Sequence, residues 1–323
     1  MRLRVLDLDA SLTGQPPIAE LARQGRLQIA DLRQAGPGLR VIATRRGIRR
    51  LGEQLDRDFG QADAGPAVYF IGSGDFHHLT AALIARVREP VTVIHFDNHP
   101  DWCRFPAMFN CGAWVNRALE MAHVERVITL GPAGRDLVRP ELQTANLPAV
   151  EAGRIELFPW RAQPSRVWWR YRDSACCRFA DGHLHWRNLA DEPWPAFLDT
   201  LIERLPRTAL WITIDKDVLG PSEATTDWDQ GRMPLDHVIA AVERLAACRR
   251  IAGIDVCGET SPPVFADAVR ATIARLDNPP RPAPTPAELA VNASTNMRLI
   301  AAFERALGPA ADCAQSAQTA SDR

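Results

Sequence analysis

The chain has 323 residues, 46% of them hydrophobic and 24% charged, and its 38 basic and 39 acidic side chains give a formal net charge of −1. That balance argues against a coat for nucleic acid or for an anionic membrane. No apolar run reaches the roughly 20 residues of a membrane span, and charges interrupt the opening MRLRVLDLDASL where a secretory leader stays apolar. Seven cysteines, an odd number with no CxxC pair, fit a reduced, cytoplasmic setting better than a disulfide framework.

In chain order, Ala67–Ile71 has strand character, Leu79–Val87 helical spacing, Val91–Phe96 strand, Ala113–Ala122 helix and Val127–Leu130 strand. After an irregular stretch come Pro195–Leu205 (helix), Ala209–Ile214 (strand), Leu235–Ala247 (helix), Ile251–Val256 (strand) and Pro263–Leu276 (helix). The strands are almost continuously apolar, as strands buried on both faces of a parallel sheet are. Their alternation with helices predicts a three-layer α/β/α architecture with a mostly parallel central sheet. Pro164–Asp191 breaks the rhythm: SRVWWRY and GHLHWRNL are expected to pair as a hairpin, with Trp168, Trp169, Tyr171 and Trp186 packed inward. A proline-rich linker over 277–285 precedes a helix of about 286–307, signed by Thr285 as N-cap, Pro286 and Glu288. We expect a single domain over 1–307 and a disordered tail over 308–323, small and polar throughout.

Three of the strands end in metal-ligand residue types: AVYFIGSGDFHH delivers Asp75, His77 and His78; VTVIHFDNHPDW delivers Asp97, His99 and Asp101; ALWITIDKDV delivers Asp215 and Asp217. The carboxyl ends of parallel strands form the rim where ligands bind, and residues two apart in extended backbone point to one side. Four carboxylates and two imidazoles, one of them from the first strand, would therefore meet in one pocket with a charge of about −4, prohibitive to bury without cations. Two divalent ions would neutralise it, and an oxygen-rich set with some nitrogen favours Mn²⁺. His95, His123, His183, His185 and His237 read as structural or exposed.

The order GDFHHL, FDNHPDW, TIDKDVLGPS resembles the arginase/agmatinase (ureohydrolase) family, whose members carry GGDHS, DAHxD and SxDxDxxDP motifs on successive strand ends. The resemblance covers roughly residues 67 to 276 and assigns the metal ligands as His77, Asp97, His99, Asp101, Asp215 and Asp217, holding two Mn²⁺. It implies an arginase-like fold, a homo-oligomer, and attack of metal-bridging hydroxide on a guanidinium-like carbon of a small molecule. The departures concern substrate. Asn98 replaces a small alanine, Gly220 stands where the third motif ends in Asp–Pro, and Asn110–Cys111–Gly112 puts Cys111 where arginases carry a proton-shuttling histidine. In IDVCGETSPP the glutamate that would grip the substrate, Glu259, falls one residue late. We assign Glu259 and His78 as catalytic groups, His78 as a substitute proton shuttle, and Trp102, Arg104, Asn110, Cys111, Asp227 and Asp229 as substrate-binding residues. Two alternatives stay open: a mononuclear zinc deacylase resembling histone deacetylases, and a catalytically silent relative that binds a metal or small molecule.

Overall fold

The computed structural model describes residues 1–60, 65–104, 109–278 and 282–308. Among the described residues the strands are β1 (Arg2–Asp7), β2 (Leu27–Asp31), β3 (Ile42–Ala43), β4 (Ala67–Ser73), β5 (Val91–Phe96), β6 (Phe109–Asn110), β7 (Val124–Leu130), β8 (Ile155–Phe158), β9 (Ser165–Arg166), β10 (Cys177–Ala180), β11 (His183–Trp186), β12 (Ala209–Asp215) and β13 (Ile251–Glu259). Eight of them build one sheet in the order β2-β1-β4-β13-β12-β5-β7-β8, and every ladder in it is parallel. Strands β4, β5 and β12 are buried along their whole length, so their valines, isoleucines and phenylalanines meet helices on both faces and need no polar alternation.

The helices are α1 (Pro16–Arg23), α2 (Gly36–Leu39), α3 (Arg45–Phe59), α4 (Leu79–Ile84), α5 (Trp114–Leu119), α6 (Leu147–Glu151), α7 (Trp194–Arg204), α8 (Leu235–Cys248), α9 (Ala268–Asp277) and α10 (Pro286–Leu307). The capping box at Thr285 and Glu288 forms as the sequence signals. Helix α9 begins five residues later than periodicity suggests, where the Asp267 side chain accepts the Arg270 N–H and caps it. No described helix is long and apolar enough to cross a membrane. The tail expected beyond the last helix lies, Gly308 apart, outside the described residues.

The irregular stretch forms a three-stranded antiparallel sheet, β10-β11-β9. SRVWWRY does pair with GHLHW, but only through β9, at Ser165 and Arg166, and β10 supplies the longer ladder. Trp186 packs inward as expected, whereas Trp168 and Trp169 are 65% and 70% exposed because the chain leaves the sheet after Arg166.

Candidate metal centre

Each motif strand runs into a tight turn that aims the next side chains at one spot. At the end of β4, Ser73 Oγ accepts the backbone N–H of Asp75 and starts a single 3₁₀ turn, which delivers His77. At the end of β12, Asp215 accepts the N–H of Asp217 at 3.0 Å and brings both carboxylates to the rim. After β5, Asp101 sits in the left-handed region at φ +48°, a conformation that costs a residue with a Cβ about 1 kcal/mol or more. Its Oδ2 is fixed there by the indole N–H of Trp114 at 2.6 Å.

The six expected ligands converge. His77 Nδ1 lies 3.0 Å from Asp97 Oδ2, 3.3 Å from Asp101 Oδ2 and 3.5 Å from Asp215 Oδ2. His99 Nδ1 lies 2.9 Å from Asp217 Oδ2 and 3.4 Å from Asp97 Oδ1. Asp97 thus turns one oxygen to each histidine, dividing the set into two adjoining groups with a shared carboxylate. Asp75 does not join them. Its carboxylate holds Arg40 at 2.7 Å and the indole of Trp228 at 3.0 Å.

The surroundings fix these side chains. His77 Nε2 is 2.9 Å from Thr213 Oγ1, and Thr213 donates its one hydroxyl hydrogen to Asp255 Oδ1 at 2.8 Å. Nε2 is then an N–H donor to Thr213, which leaves Nδ1 as the nitrogen that faces the carboxylates. His95, read from sequence as structural, is fully buried and meets Asp97 Oδ2 through Nε2 at 2.8 Å and Thr129 through Nδ1 at 3.0 Å. The signal for it was present, since HFDNHPD places His95 on the same side as Asp97 at the two-residue spacing.

Burial, and then repulsion from Asp97, pushes the Asp101 carboxyl up to about 7. Burial and the same neighbour raise Asp215, while burial followed by Asp215 and Asp97 raises Asp217 well above the carboxylate range. Asp97 alone is held low: burial opposes its charge, but His95, His77 and His99 outweigh it. Carboxylates driven this way call for more positive charge than two imidazoles provide. Three groups whose ligand atoms lie within 4.8 Å of one another, namely His77 with His95, Asp97 and Asp101, His77 with Asp215 and Cys257, and His99 with Asp97 and Asp217, could hold divalent cations.

The centre opens into a cleft of about 490 Å³. Of the expected substrate residues, Trp102, Cys111 and Asp229 line it, joined by Trp228 and by Asp136, Gln143 and Asn278, which no motif marked. Asn98, the replacement for alanine, donates from its backbone to Asp217 and from Nδ2 to the carbonyl of Asp229, binding the 227–229 loop to the rim. The other assignments land elsewhere. Arg104 is exposed and sits near Tyr171, and half-buried Asn110 pairs with Ile42 in the β3–β6 ladder. Asp227 accepts Ser73 Oγ, Thr260 Oγ1 and the Ser261 N–H, facing a second cavity of about 370 Å³ behind Trp228. His78 is fully buried and outside the cleft lining, and burial with the adjacent His77 lowers its pKa to about 3, which favours the neutral ring. Glu259 is buried in an ion pair with Lys216 and accepts Asn292 and Asn296 side chains at 3.0 and 2.6 Å, away from the cleft.

No family model matches the chain. A curated relative, an uncharacterized protein of Thermotoga maritima, is 25% identical over 198 residues, 61% of this chain. The match spans only 60% of that relative's length. Among solved structures, an arginase from Bacillus subtilis superposes with a TM-score of 0.57 at 13% identity, covering 95% of this chain and 99% of that one. Arginases from Bacillus caldovelox and Bacillus cereus each reach a TM-score of 0.53, at 15% and 13% identity, over 92% of this chain and 98% of theirs. The fold is therefore arginase-like, an all-parallel eight-stranded sheet flanked by helices.

Proposed function

We propose that the chain is a divergent ureohydrolase, a hydrolase with two divalent cations that cleaves a C–N bond of a guanidino, amidino or related amide compound. The observation that carries this reading is Asp97, which presents Oδ2 to His77 and Oδ1 to His99, so that two cation positions share one carboxylate. By their distances from it, Asp97, Asp101 and Asp215 would join His77 in holding one cation, and Asp97, His99 and Asp217 would hold the other. Such a pair supplies an activated water and stabilises charge building at the attacked carbon. An oxygen-rich donor set suits manganese.

The chain's own residues select the substrate. Asp136 and Asp229 line the cleft beyond the ligands, and no arginine or lysine is among its described lining residues, which favours a cationic molecule. Trp228 lies edge-on to His99 at 5.8 Å and offers an aromatic wall to a planar cation. Loading the protein with Mn²⁺ and counting metal tests the reading directly: two ions per chain are expected, and fewer than one in Asp97→Ala. Turnover of guanidino, formimino or acylated-amine compounds should then depend on His99. No bound metal, or full turnover in His99→Ala, would overturn it. The family resemblance further implies a homo-oligomer, which sedimentation of the purified chain tests.

A further inference from the structure

Strand β13 does something at its end that neither motif nor charge count anticipates. Its register against β4 slips between Val256 and Cys257 and again between Cys257 and Glu259. Gly258, in the middle of the slip, has φ +86°. A Cβ at 258 would stand 2.4 Å from Asp215 Oδ1, so only glycine lets the strand come this close. The bulge draws the backbone against the metal ligands and sets Cys257 beside them. The thiol is 1% exposed and lies 3.2 Å from Asp215 Oδ2. Its sulfur, a ring nitrogen of His77 and a carboxylate oxygen of Asp215 all lie within 4.8 Å of one another.

These spacings suit coordination. Bonds of about 2.1 Å to nitrogen or oxygen and 2.3 Å to sulfur make the edge of a tetrahedral site about 3.5 Å long. Asp215 Oδ2 lies 3.5 Å from His77 Nδ1, at that edge length, and 3.2 Å from the sulfur, a few tenths of an ångström inside it. The position around His99, by contrast, gathers only Asp97 and Asp217.

We propose that Cys257 is a sulfur ligand on the His77 side of the pair, so that this position takes a thiophilic divalent cation such as zinc, cobalt or iron(II), while the His99 side, with nitrogen and oxygen only, keeps a hard one such as manganese. The inference rests on the metal-centre reading above and replaces its like pair with an unlike one. Thiolate selects softer cations than carboxylate does. On binding, the thiol gives up its proton, which leaves to solvent, and the sulfur lone pair forms the metal bond with no change of oxidation state.

Cobalt is the probe. The full chain, stripped of metal under reducing conditions and titrated with Co²⁺, should develop a near-ultraviolet sulfur-to-cobalt absorption that saturates at one ion per chain. Cys257→Ser should lack that band while retaining the visible cobalt bands of the other position. Its zinc affinity should fall about 10–100-fold or more, since losing a ligand costs at least what losing a ligand's supporting hydrogen bond does, with manganese affinity at the His99 side little changed. X-ray absorption of the wild-type protein loaded with one zinc should show a sulfur shell near 2.3 Å, a measurement that does not depend on the variant folding. Cobalt bound without a sulfur band, or a band that survives in Cys257→Ser because Cys111 or Cys103 of the cleft supplies it, overturns the assignment to Cys257 and leaves the metal reading standing. Absence of any bound cobalt overturns both.

Discussion

Replacing Lys216 by methionine isolates one interaction beneath the metal rim. The lysine is fully buried between Asp215 and Asp217 in sequence, yet it points to the opposite side, where it pairs with Glu259 and donates to Asn296 Oδ1 at 3.1 Å. Glu259, 2% exposed, keeps only the Asn292 and Asn296 amides once the ammonium is gone. A buried carboxylate robbed of its partner costs about 3–5 kcal/mol. With an unfolding entropy of roughly 2.1 cal/mol/K per residue over about 300 ordered residues, that becomes a fall in Tm of about 5–8 °C. The pair Lys216→Met with Glu259→Leu removes both charges and should recover most of the loss, since replacing both ions by apolar groups is often neutral. Thermal melts by circular dichroism in excess chelator read this without the added stability of bound metal. A single variant that melts within about 2 °C of wild type, or a double variant no more stable than the single, would refute the reasoning from an unpaired buried charge.

Three further expectations concern the metal centre. Thr213→Val removes the acceptor for His77 Nε2–H and should weaken metal binding about 10–100-fold by calorimetric titration with the fold intact; an unchanged affinity would mean that packing against Trp114 alone orients the ring. Gly258→Ala forces a side chain into the left-handed region and against Asp215, so its metal content should drop and its Tm fall, both read on the purified variant. Asp101, pushed up to about 7, binds a proton in the folded metal-free protein at pH values where the unfolded chain, near 3.8, has lost it. Metal-free stability should therefore decrease as pH rises from about 4 through 7, and cation affinity should increase over the same span as the competing proton leaves, levelling off above it. Titrations at several pH values check both slopes, and an affinity independent of pH would exclude the proton competition.

The strands that carry the centre were legible because each is an apolar run that leads into polar residues: Val91–Phe96 has the bounds expected of it, and β4, β12 and β13 extend past theirs by two, one and three residues. His77, Asp97, His99, Asp101, Asp215 and Asp217 were legible for the same reason, since two-residue spacing at a strand end fixes direction as well as place. What spacing cannot convey is a change of parity. The bulge at Gly258 alters which side Glu259 takes, so it turns to Lys216, although the sequence put it with the substrate, while Cys257 keeps the side of Asp255 two residues before it. Nor does it convey partners from distant loops. Asp227 was placed by Ser73, Thr260 and Ser261, residues of two other strand ends, and Asp136 reaches the cleft from the loop after β7. Trp168 and Trp169 misled because aromatic residues signal burial only where the chain stays in the sheet.

The segment Thr213–Ile214–Asp215–Lys216–Asp217 sends alternate side chains to opposite sides, with acids toward the cleft and the single lysine toward α10. Losing or gaining one residue just upstream would reverse that assignment rather than blunt it: an ammonium would enter the cation cluster, and two acids would press into a dry helical interface. Length variation here would have to come in twos to preserve the frame. The loops between elements carry no such arithmetic, and diversity among relatives is expected to accumulate there.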